Sequence, residues 1–207
     1  MKKFLAVISA AVMLGFSSNV SAATFKDVPT DHKAYNDLMQ LVEVGVVKPD
    51  KNGNFNGDKI ATRYNLASML YQVVEQVYGF EEDPNAVNIA DVPKDRAAYK
   101  VISQLVSEGV LTTDSQENFN GSRELTRYEI AEAFYEILNM GDSIPNMDIE
   151  PYKDVADGSQ QYEFVRGVTA AGVMNGYNDK NFRGNDTVTR YDLARLVYKL
   201  CLRITED

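Results

Sequence analysis

The tripeptide Thr-Arg-Tyr occurs three times in this chain at an almost constant interval, and this repetition is the strongest constraint on its fold. The copies begin at Thr62, Thr126 and Thr189, which are 64 and 63 residues apart. A fixed period of this kind indicates a repeated supersecondary unit, whose copies bury their apolar faces against one another. The sequence therefore predicts three copies of one small unit rather than a single irregular core.

Other positions repeat in the same register. Counted from Asp27, Asp91 and Asp154, the three copies align without a gap. The positions that keep one residue type are Tyr35/Tyr99/Tyr162, Gly45/Gly109/Gly172, Phe55/Phe119/Phe182, Gly57/Gly121/Gly184, Arg63/Arg127/Arg190, Ala67/Ala131/Ala194 and Tyr71/Tyr135/Tyr198. Because so many positions agree at the same offsets, chance does not account for the repeat.

Each copy predicts a helix, a loop and a second helix, so the fold class is mostly α. In the first copy, a helix is expected from near residue 32, with Leu38 and Leu41 at helical spacing. Gly45 follows where a helix commonly ends in left-handed dihedrals. One helix pair cannot cover both apolar stripes, so the copies are expected to pack together. The expected repeats span residues 23–80, 87–140 and 150–207.

The second helix of each copy is predicted to begin at the Thr-Arg-Tyr tripeptide. Thr62, Thr126 and Thr189 are expected N-caps, since a threonine hydroxyl accepts from a backbone N–H of the first turn. The middle copy, with Glu129 three residues after the cap, forms a full capping box, and the other copies are close variants. An apolar stripe then predicts a packed helix, with Leu66, Ala67, Leu70, Tyr71 and Val74 in the first copy.

The arginine that follows each capping threonine is unexpected for local helix chemistry. Arg63, Arg127 and Arg190 stand at the first helical position, where the helix dipole disfavours a cation by about 0.3–1 kcal/mol at an exposed site. Two interpretations are open. Each arginine pairs with a carboxylate of a neighbouring repeat, or it forms an anion-binding site together with the helix N-terminus. Both roles are compatible in one structure.

The repeated aspartates allow a similar pair of interpretations. Asp27, Asp91 and Asp154 are short carboxylates before a turn, where such side chains commonly accept hydrogen bonds from backbone N–H groups. A binding role requires that each carboxylate face a groove between repeats, close to an arginine. The sequence does not choose between these two roles.

The first 22 residues have the features of a secretory signal peptide. Lys2 and Lys3 precede an apolar run at residues 4–16, and Val20-Ser21-Ala22 offers small residues at a cleavage site. Cleavage after Ala22 removes two lysines and no acid, which changes the formal net charge from −9 to −11. A chain this acidic is a poor general ligand for nucleic acid. We expect an exported protein without a transmembrane segment in its mature part.

Catalytic, metal and cofactor motifs find little support in the sequence. The single histidine, His32, lies outside any catalytic pattern, and no nucleophile elbow or Walker loop is present. The stretch from Asp50 to Ala61 resembles a calcium loop, but its sixth position is Phe55 and its twelfth is alanine. Cys201, the only cysteine, is expected to be a small buried hydrophobe. We expect no catalytic residues, no metal site and no cofactor.

These motifs together resemble the S-layer homology (SLH) domain. The resemblance rests on Phe-x-Asp-Val-Pro, Leu-x-x-x-Gly-Val, Asn-Phe-x-Gly and Thr-Arg-Tyr-x-x-Ala, and it covers residues 25–203 in three tandem copies. The Thr-Arg-Tyr form is similar to that of diderm bacteria. The chain departs from the family in having no tryptophan, in keeping the Gly-Tyr pair only at Gly176 and Tyr177, and in having Ile89 where Phe25 stands in the first copy.

The resemblance implies a pseudo-threefold trimer of helix-loop-helix repeats with a central helix bundle. It implies grooves between repeats that bind peptidoglycan or a secondary cell-wall polysaccharide, in a protein of the periplasm, cell envelope or cell surface. It also implies that the groove residues are Arg63, Arg127, Arg190, Asp27, Asp91 and Asp154. The alternative expectation is an envelope adaptor that uses the same fold to assemble with other envelope proteins.

Overall fold

The computed structural model describes residues 25–80 and 87–205, so the predicted signal peptide lies outside the described residues. The described part contains six α-helices and, instead of strands, three isolated β-bridges. The helices are α1 (Tyr35–Glu43), α2 (Arg63–Val77), α3 (Ala97–Ser107), α4 (Arg127–Met140), α5 (Gln160–Ala170) and α6 (Arg190–Thr205). The mostly helical fold with three helix-loop-helix repeats is thereby confirmed.

The second helices begin where the capping chemistry predicts. At the start of α4, the Thr126 hydroxyl accepts from the N–H of Glu129, and the Glu129 carboxylate accepts from the N–H of Thr126 at 3.0 Å. At the start of α6, the Thr189 hydroxyl accepts from the N–H of Asp192 at 3.1 Å. These bonds satisfy backbone groups that the first helical turn leaves without an intrahelical partner.

The first helices end at the repeated glycines. Gly45, Gly109 and Gly172 have φ values of +77°, +75° and +74°. An L side chain at these positions would be strained, because its Cβ crowds the backbone in the left-handed region. The predicted helix ends are therefore confirmed, and each chain segment turns there toward the loop of its repeat.

Each first helix packs on the second helix of the preceding repeat. Helix α3 of the second repeat packs on α2, and α5 of the third repeat packs on α4. Helix α1 of the first repeat packs on α6, at the far end of the chain, and α2 also packs on α6. The order of these contacts is cyclic. The three repeats consequently share one hydrophobic core instead of three separate ones. The pseudo-threefold trimer with a central helix bundle stays a prediction.

The short segments before the second helices also join the repeats. Ala61 donates its N–H to the Val188 carbonyl at 2.8 Å and accepts from the N–H of Leu125 at 2.9 Å. Isolated bridges pair the same segments, with Ile60 opposite Thr189 and Thr62 opposite Glu124, and with Thr126 opposite Thr187. Backbone hydrogen bonds therefore connect all three repeats at one end of their second helices.

The tyrosine of each Thr-Arg-Tyr tripeptide packs against a repeated glycine of the next repeat. The Tyr64 ring lies over Gly121, Tyr128 over Gly184, and Tyr191 over the glycine at position 57. A Cβ added at Gly121 would lie 2.3 Å from the Tyr64 ring, and one at Gly184 would lie 2.1 Å from the Tyr128 ring. These contacts give a physical reason for the glycine at this position of all three copies.

Replacing Gly121 by alanine is expected to lower the free energy of unfolding by about 1–3 kcal/mol, because the new methyl group overpacks the contact with Tyr64. Urea denaturation followed by circular dichroism measures this change. In a Tyr64→Ala background the same substitution should cost clearly less, since the clashing ring is gone. An equal cost in both backgrounds would show that the ring is not the cause. Ser122→Ala, at an exposed neighbouring position, is the control.

Candidate functional site

The repeated aspartates hold the loops of their own repeats. The Asp27 carboxylate accepts the backbone N–H groups of Phe55 and Asn56 at 2.7 and 2.6 Å. Asp91 and Asp154 accept the two equivalent N–H groups in their repeats. The second donor in each copy has a positive φ, +58° at Asn56. These carboxylates therefore stabilise a loop conformation that non-glycine residues rarely adopt.

The repeated arginines reach across to the loop of the next repeat. Arg63 donates its Nε–H to the Phe119 carbonyl at 2.9 Å, and its guanidinium lies 4.6 Å from the centre of the Phe119 ring. Arg127 makes the same two contacts with Phe182, and Arg190 makes them with the phenylalanine at position 55. Each loop phenylalanine is thus held by an aspartate at its N–H and by an arginine at its carbonyl.

The N-termini of the second helices are occupied by the protein itself. Arg63 and Tyr64 donate their backbone N–H groups to carbonyls of the second repeat, at Arg123 (3.2 Å) and Gly121 (2.9 Å). The corresponding N–H groups of α4 and α6 donate to carbonyls of the third and first repeats. The first two amides of each helix therefore bond to the neighbouring loop, and any anion must be bound by side chains.

The three arginines differ in their remaining contacts. Arg63, which is 7% exposed, donates Nη1–H to the Glu129 carboxylate and Nη2–H to the Thr112 carbonyl, both at 2.6 Å. Arg127, which is 8% exposed, donates Nη2–H to the Asn175 carbonyl at 2.8 Å. Within the described residues, Arg127 forms no ion pair with a carboxylate. Only the first arginine is therefore neutralised by direct contact with an acid of the next repeat.

Three positions on the second helices vary in charge between the repeats. They lie three, six and ten residues after the capping threonine. In α4 one of them contacts the arginine of the preceding repeat, and in α6 all three line a cavity together with that arginine. They are occupied by Asn65, Ser68 and Gln72 in α2, by Glu129, Glu132 and Glu136 in α4, and by Asp192, Arg195 and Lys199 in α6. We call the three regions groove 1–2 (Arg63 with α4), groove 2–3 (Arg127 with α6) and groove 3–1 (Arg190 with α2).

Groove 1–2 is acidic. Burial acts to raise the pKa of Glu129, but the N–H of Thr126 and the guanidinium groups of Arg123 and Arg63 outweigh it, so its pKa is lowered. Burial raises the pKa of Glu132, and the neighbouring acids add to that rise. The positive charge of Arg63 is therefore compensated by carboxylates of the same chain.

Groove 2–3 is basic and contains a cavity of about 220 Å³. Arg127, Arg195 and Lys199 line it, together with one acid, Asp192. Tyr177 also lines it, and this residue is 43% exposed, with its ring centre 5.1 Å from the Arg127 guanidinium. The cavity thus combines three cations, one carboxylate and an accessible aromatic ring.

Two features named in the sequence are explained without a bound group. The Asp50 carboxylate accepts from the N–H groups of Asn52 and Asn54, which, with the side chain of Asn56, help to lower its pKa. The loop that resembles a calcium loop is therefore closed by hydrogen bonds of its own. Cys201 is fully buried, as predicted, and burial raises the pKa of its thiol to about 12. Such a thiol is not reactive at neutral pH.

Sequence repetition indicates the repeated groove residues but not the variable ones. The six predicted groove residues recur at fixed offsets, and their role in binding a ligand stays a prediction. Tyr177, Arg195 and Lys199 are not indicated by repetition, because the other two copies have different residues at these positions. For Arg195 and Lys199, the signal is the charge at positions on the same helix face as the capping turn.

None of the helices in the described part of the chain has the length and hydrophobicity that a membrane crossing requires. Comparison with known families and proteins gives a consistent result. The sequence model of the S-layer homology domain matches residues 24–63, 88–131 and 151–194. Each of these three matches lies in one repeat and includes the capping threonine and the arginine that follows it.

Several curated proteins are similar to this chain. It is 29% identical over 76% of its length to the Surface-layer 125 kDa protein of Lysinibacillus sphaericus, and 25% identical over 96% of its length to the S-layer protein sap of Bacillus anthracis. It is also 26% identical over 76% of its length to the Outer membrane protein SlpA of Thermus thermophilus. The chain spans only 13%, 24% and 18% of these three proteins.

Proposed function

Because this chain belongs to the S-layer homology (SLH) domain family, we propose that it is a non-catalytic module that attaches to the cell wall through the grooves between its repeats. Its ligand is peptidoglycan or a secondary cell-wall polysaccharide. The relatives named above are surface-layer and outer-membrane proteins, which supports a location in the cell envelope. The predicted signal peptide supports export.

One observation of the structure carries this proposal. Arg127 is almost fully buried and yet has no carboxylate partner within the described residues, while its guanidinium borders an open cavity. A buried cation without a counter-ion is costly, and an anionic group entering from solvent would supply one. The aromatic ring of Tyr177 beside it offers a flat apolar surface of the kind that packs against a sugar ring.

Sedimentation with purified wall sacculi tests the proposal. The mature protein, residues 23–207, is expected to pellet with sacculi in a saturable manner, and soluble wall fragments are expected to compete. A monomeric protein of similar size and net charge serves as the control. If the folded protein remains in the supernatant at every sacculus concentration, wall binding is wrong. Zymography on peptidoglycan tests the non-catalytic part of the proposal, because a lytic band would contradict it.

Alanine replacement of Arg63, Arg127 and Arg190 together would be a poor test of binding. Arg63 and Arg127 are buried and hold the loop of the next repeat, so their removal changes the fold as well as the grooves. Variants that alter groove residues outside these contacts separate the two effects.

A second candidate function is that of an envelope adaptor that binds proteins and not wall glycan. Groove 1–2 favours the adaptor function, because Arg63 is already paired there with Glu129 of the same chain. Crosslinking in intact cells distinguishes the two functions. A stable protein partner together with no sedimentation on sacculi supports the adaptor, whereas saturable sacculus binding supports the wall module.

A further inference from the structure

The contact between α2 and α3 contains an open cavity of about 390 Å³, which we call the α2–α3 cavity. Its lining consists of Tyr64, Ala67, Ser68, Arg96, Ala97, Ala98, Val101 and Ile102. Neither Arg63 nor any residue of α4 belongs to this lining, so the cavity is separate from groove 1–2. Its volume lies within the roughly 300–1,000 Å³ that is common for ligand sites.

The equivalent contact between α6 and the start of α1 shows what occupies this space elsewhere in the chain. There the ring of His32 stacks on the ring of Tyr191, with 4.0 Å between the ring centres. In the α2–α3 contact, Tyr64 stands at the position of the tyrosine and Arg96 at the position of the histidine. Arginine brings no ring to this face of Tyr64. The protein therefore contains its own example of an aromatic ring bound at the place that is open beside Tyr64.

A second pair of positions also leaves the α2–α3 cavity open. In the α6–α1 contact, Arg195 reaches across to Asp37 at 3.4 Å. The residues at these two positions in the α2–α3 contact are Ser68 and Val101. In α5 the residue equivalent to Val101 is Phe164, which is buried. Because serine and valine are smaller than the arginine and the phenylalanine, they do not close the space between the helices.

The rim of the cavity is positively charged. Arg96 is exposed and forms no ion pair within residues 25–80 and 87–205. Lys94 and Lys100 are two further exposed cations of the same segment, and the only acid between them is Asp95. This local excess contrasts with the net charge of −9 of the whole chain. A carboxylate is therefore attracted to this rim, and charge complementarity of this kind selects between partners.

We propose that the α2–α3 cavity is a docking site for a partner protein, which inserts an aromatic side chain against Tyr64 and places a neighbouring carboxylate beside Arg96. A sugar ring fits the lining poorly, because its hydroxyl groups need hydrogen-bond partners when they are buried. Apart from Tyr64, Ser68 and Arg96, the lining side chains are those of alanine, valine and isoleucine. An aromatic side chain buries apolar area there without that cost. The site goes beyond the proposed wall binding and does not depend on it.

The first test is a nuclear magnetic resonance titration with defined peptides. The ring current of acetyl-Ser-Asp-Phe-Ser-amide is expected to shift the methyl signals of Ala97 and Ala98 at millimolar concentration. The peptide with asparagine in place of aspartate should bind about 2- to 5-fold more weakly, as expected for the loss of one exposed ionic contact. The peptide with alanine in place of phenylalanine should cause no shift. Equal binding of the aspartate and asparagine peptides, equal shifts with the alanine peptide, or no shift with any peptide would each overturn the proposal.

The second test fills the cavity and neutralises its rim. Val101→Phe introduces the residue that α5 has at this position, and it is expected to weaken binding of the aspartate peptide at least about tenfold, since the ring occupies the cavity. Near-ultraviolet circular dichroism checks that this variant is folded. Arg96→Gln should weaken binding of the aspartate peptide about 2- to 5-fold and leave binding of the asparagine peptide unchanged. Lys100→Gln removes the same charge outside the lining and should leave the binding of both peptides unchanged.

These variants can contradict the proposal independently. Wild-type affinity in folded Val101→Phe would show that the peptide binds elsewhere. If Val101→Phe does not fold, Arg96→Gln still decides, because wild-type affinity for the aspartate peptide in that variant would refute the role of the rim. Equal weakening by Arg96→Gln and Lys100→Gln would show that only net charge matters.

Sedimentation with sacculi separates this site from the wall-binding grooves. Folded Val101→Phe should sediment as the wild type does, and a loss of sedimentation would assign the cavity to wall glycan and overturn the docking of a protein. Methyl shifts of Ala97 and Ala98 that depend on protein concentration without peptide, together with a dimer in analytical ultracentrifugation, would identify a second copy as the occupant and also overturn it. A wild-type protein that binds the aspartate peptide but no sacculi refutes the wall module and leaves the docking site in place.

Discussion

A chain that ends after residue 140 is expected to lose cooperative folding, although it retains two complete repeats. The reason is the cyclic packing, in which α1 of the first repeat lies on α6 of the third. Leu38 and Leu41 of α1 are fully buried in the intact protein. Exposing two such side chains costs about 3–6 kcal/mol, which is a large part of the stability of a small domain. Near-ultraviolet circular dichroism and thermal melting measure the loss.

Fragment complementation provides the control for this truncation. Residues 23–140 and 150–207 together contain all six helices, so mixing the two fragments is expected to restore the near-ultraviolet signal and a cooperative melt. A fragment 23–140 that melts alone, at the temperature of the intact protein, would contradict the interlocked packing. Size-exclusion chromatography at low concentration must accompany the measurement, because the uncovered helix faces can also pair between fragment copies.

The repeats and their local elements were predictable from the sequence because their signals are local. A capping threonine and the acid or amide three residues later are neighbours in the chain, as at Thr126 and Glu129. A glycine after a helix indicates that the backbone at that same position has left-handed dihedrals, as at Gly45. These features do not depend on what packs against the helix, so the sequence alone predicts where each helix begins and ends.

The partner of each helix was not predictable in the same way. The apolar residues of α1 can be buried equally well against a helix of their own repeat or against a helix of another repeat, because the hydrophobic effect is not directional. The choice of α6 as partner depends on contacts at long sequence separation, such as the stacking of His32 on Tyr191 at 4.0 Å. Nothing in the sequence around His32 or Tyr191 indicates that these two residues are in contact.

The roles of the repeated groove residues show a related limit. The positions that keep the same residue in all three copies are those that the common fold requires. Asp27 and Arg190 are examples, because both form hydrogen bonds with the backbone of the same loop residue, Phe55. Differences in function between copies must lie at positions that are not repeated. On the second helices these are the positions of Glu132 and Arg195, which give opposite charges to two grooves built on the same plan.

Replacing Arg63 by alanine is expected to lower the free energy of unfolding by about 2–3 kcal/mol. Three hydrogen bonds disappear, including the ion pair with Glu129, and the carbonyls of Phe119 and Thr112 lose a donor. The cost is lower than for a fully isolated buried acid, because Glu129 keeps its contact with Arg123. Urea denaturation at neutral pH, followed by circular dichroism, gives the value.

The same substitution at the third copy is the matched comparison for Arg63→Ala. Arg190 is only half-buried, and its one side-chain hydrogen bond in the described structure goes to the Phe55 carbonyl, so Arg190→Ala should cost about 1 kcal/mol. Lysine at position 63 should recover less than half of the alanine loss, since an ammonium on a flexible stem cannot reproduce three fixed directions. Equal costs for the two alanine variants would mean that the contacts with Glu129 and Thr112 contribute nothing. A larger cost for Arg63→Ala than for Arg190→Ala would instead show that the repeated arginine contributes more to the fold in groove 1–2, where it is paired with Glu129, than in groove 3–1.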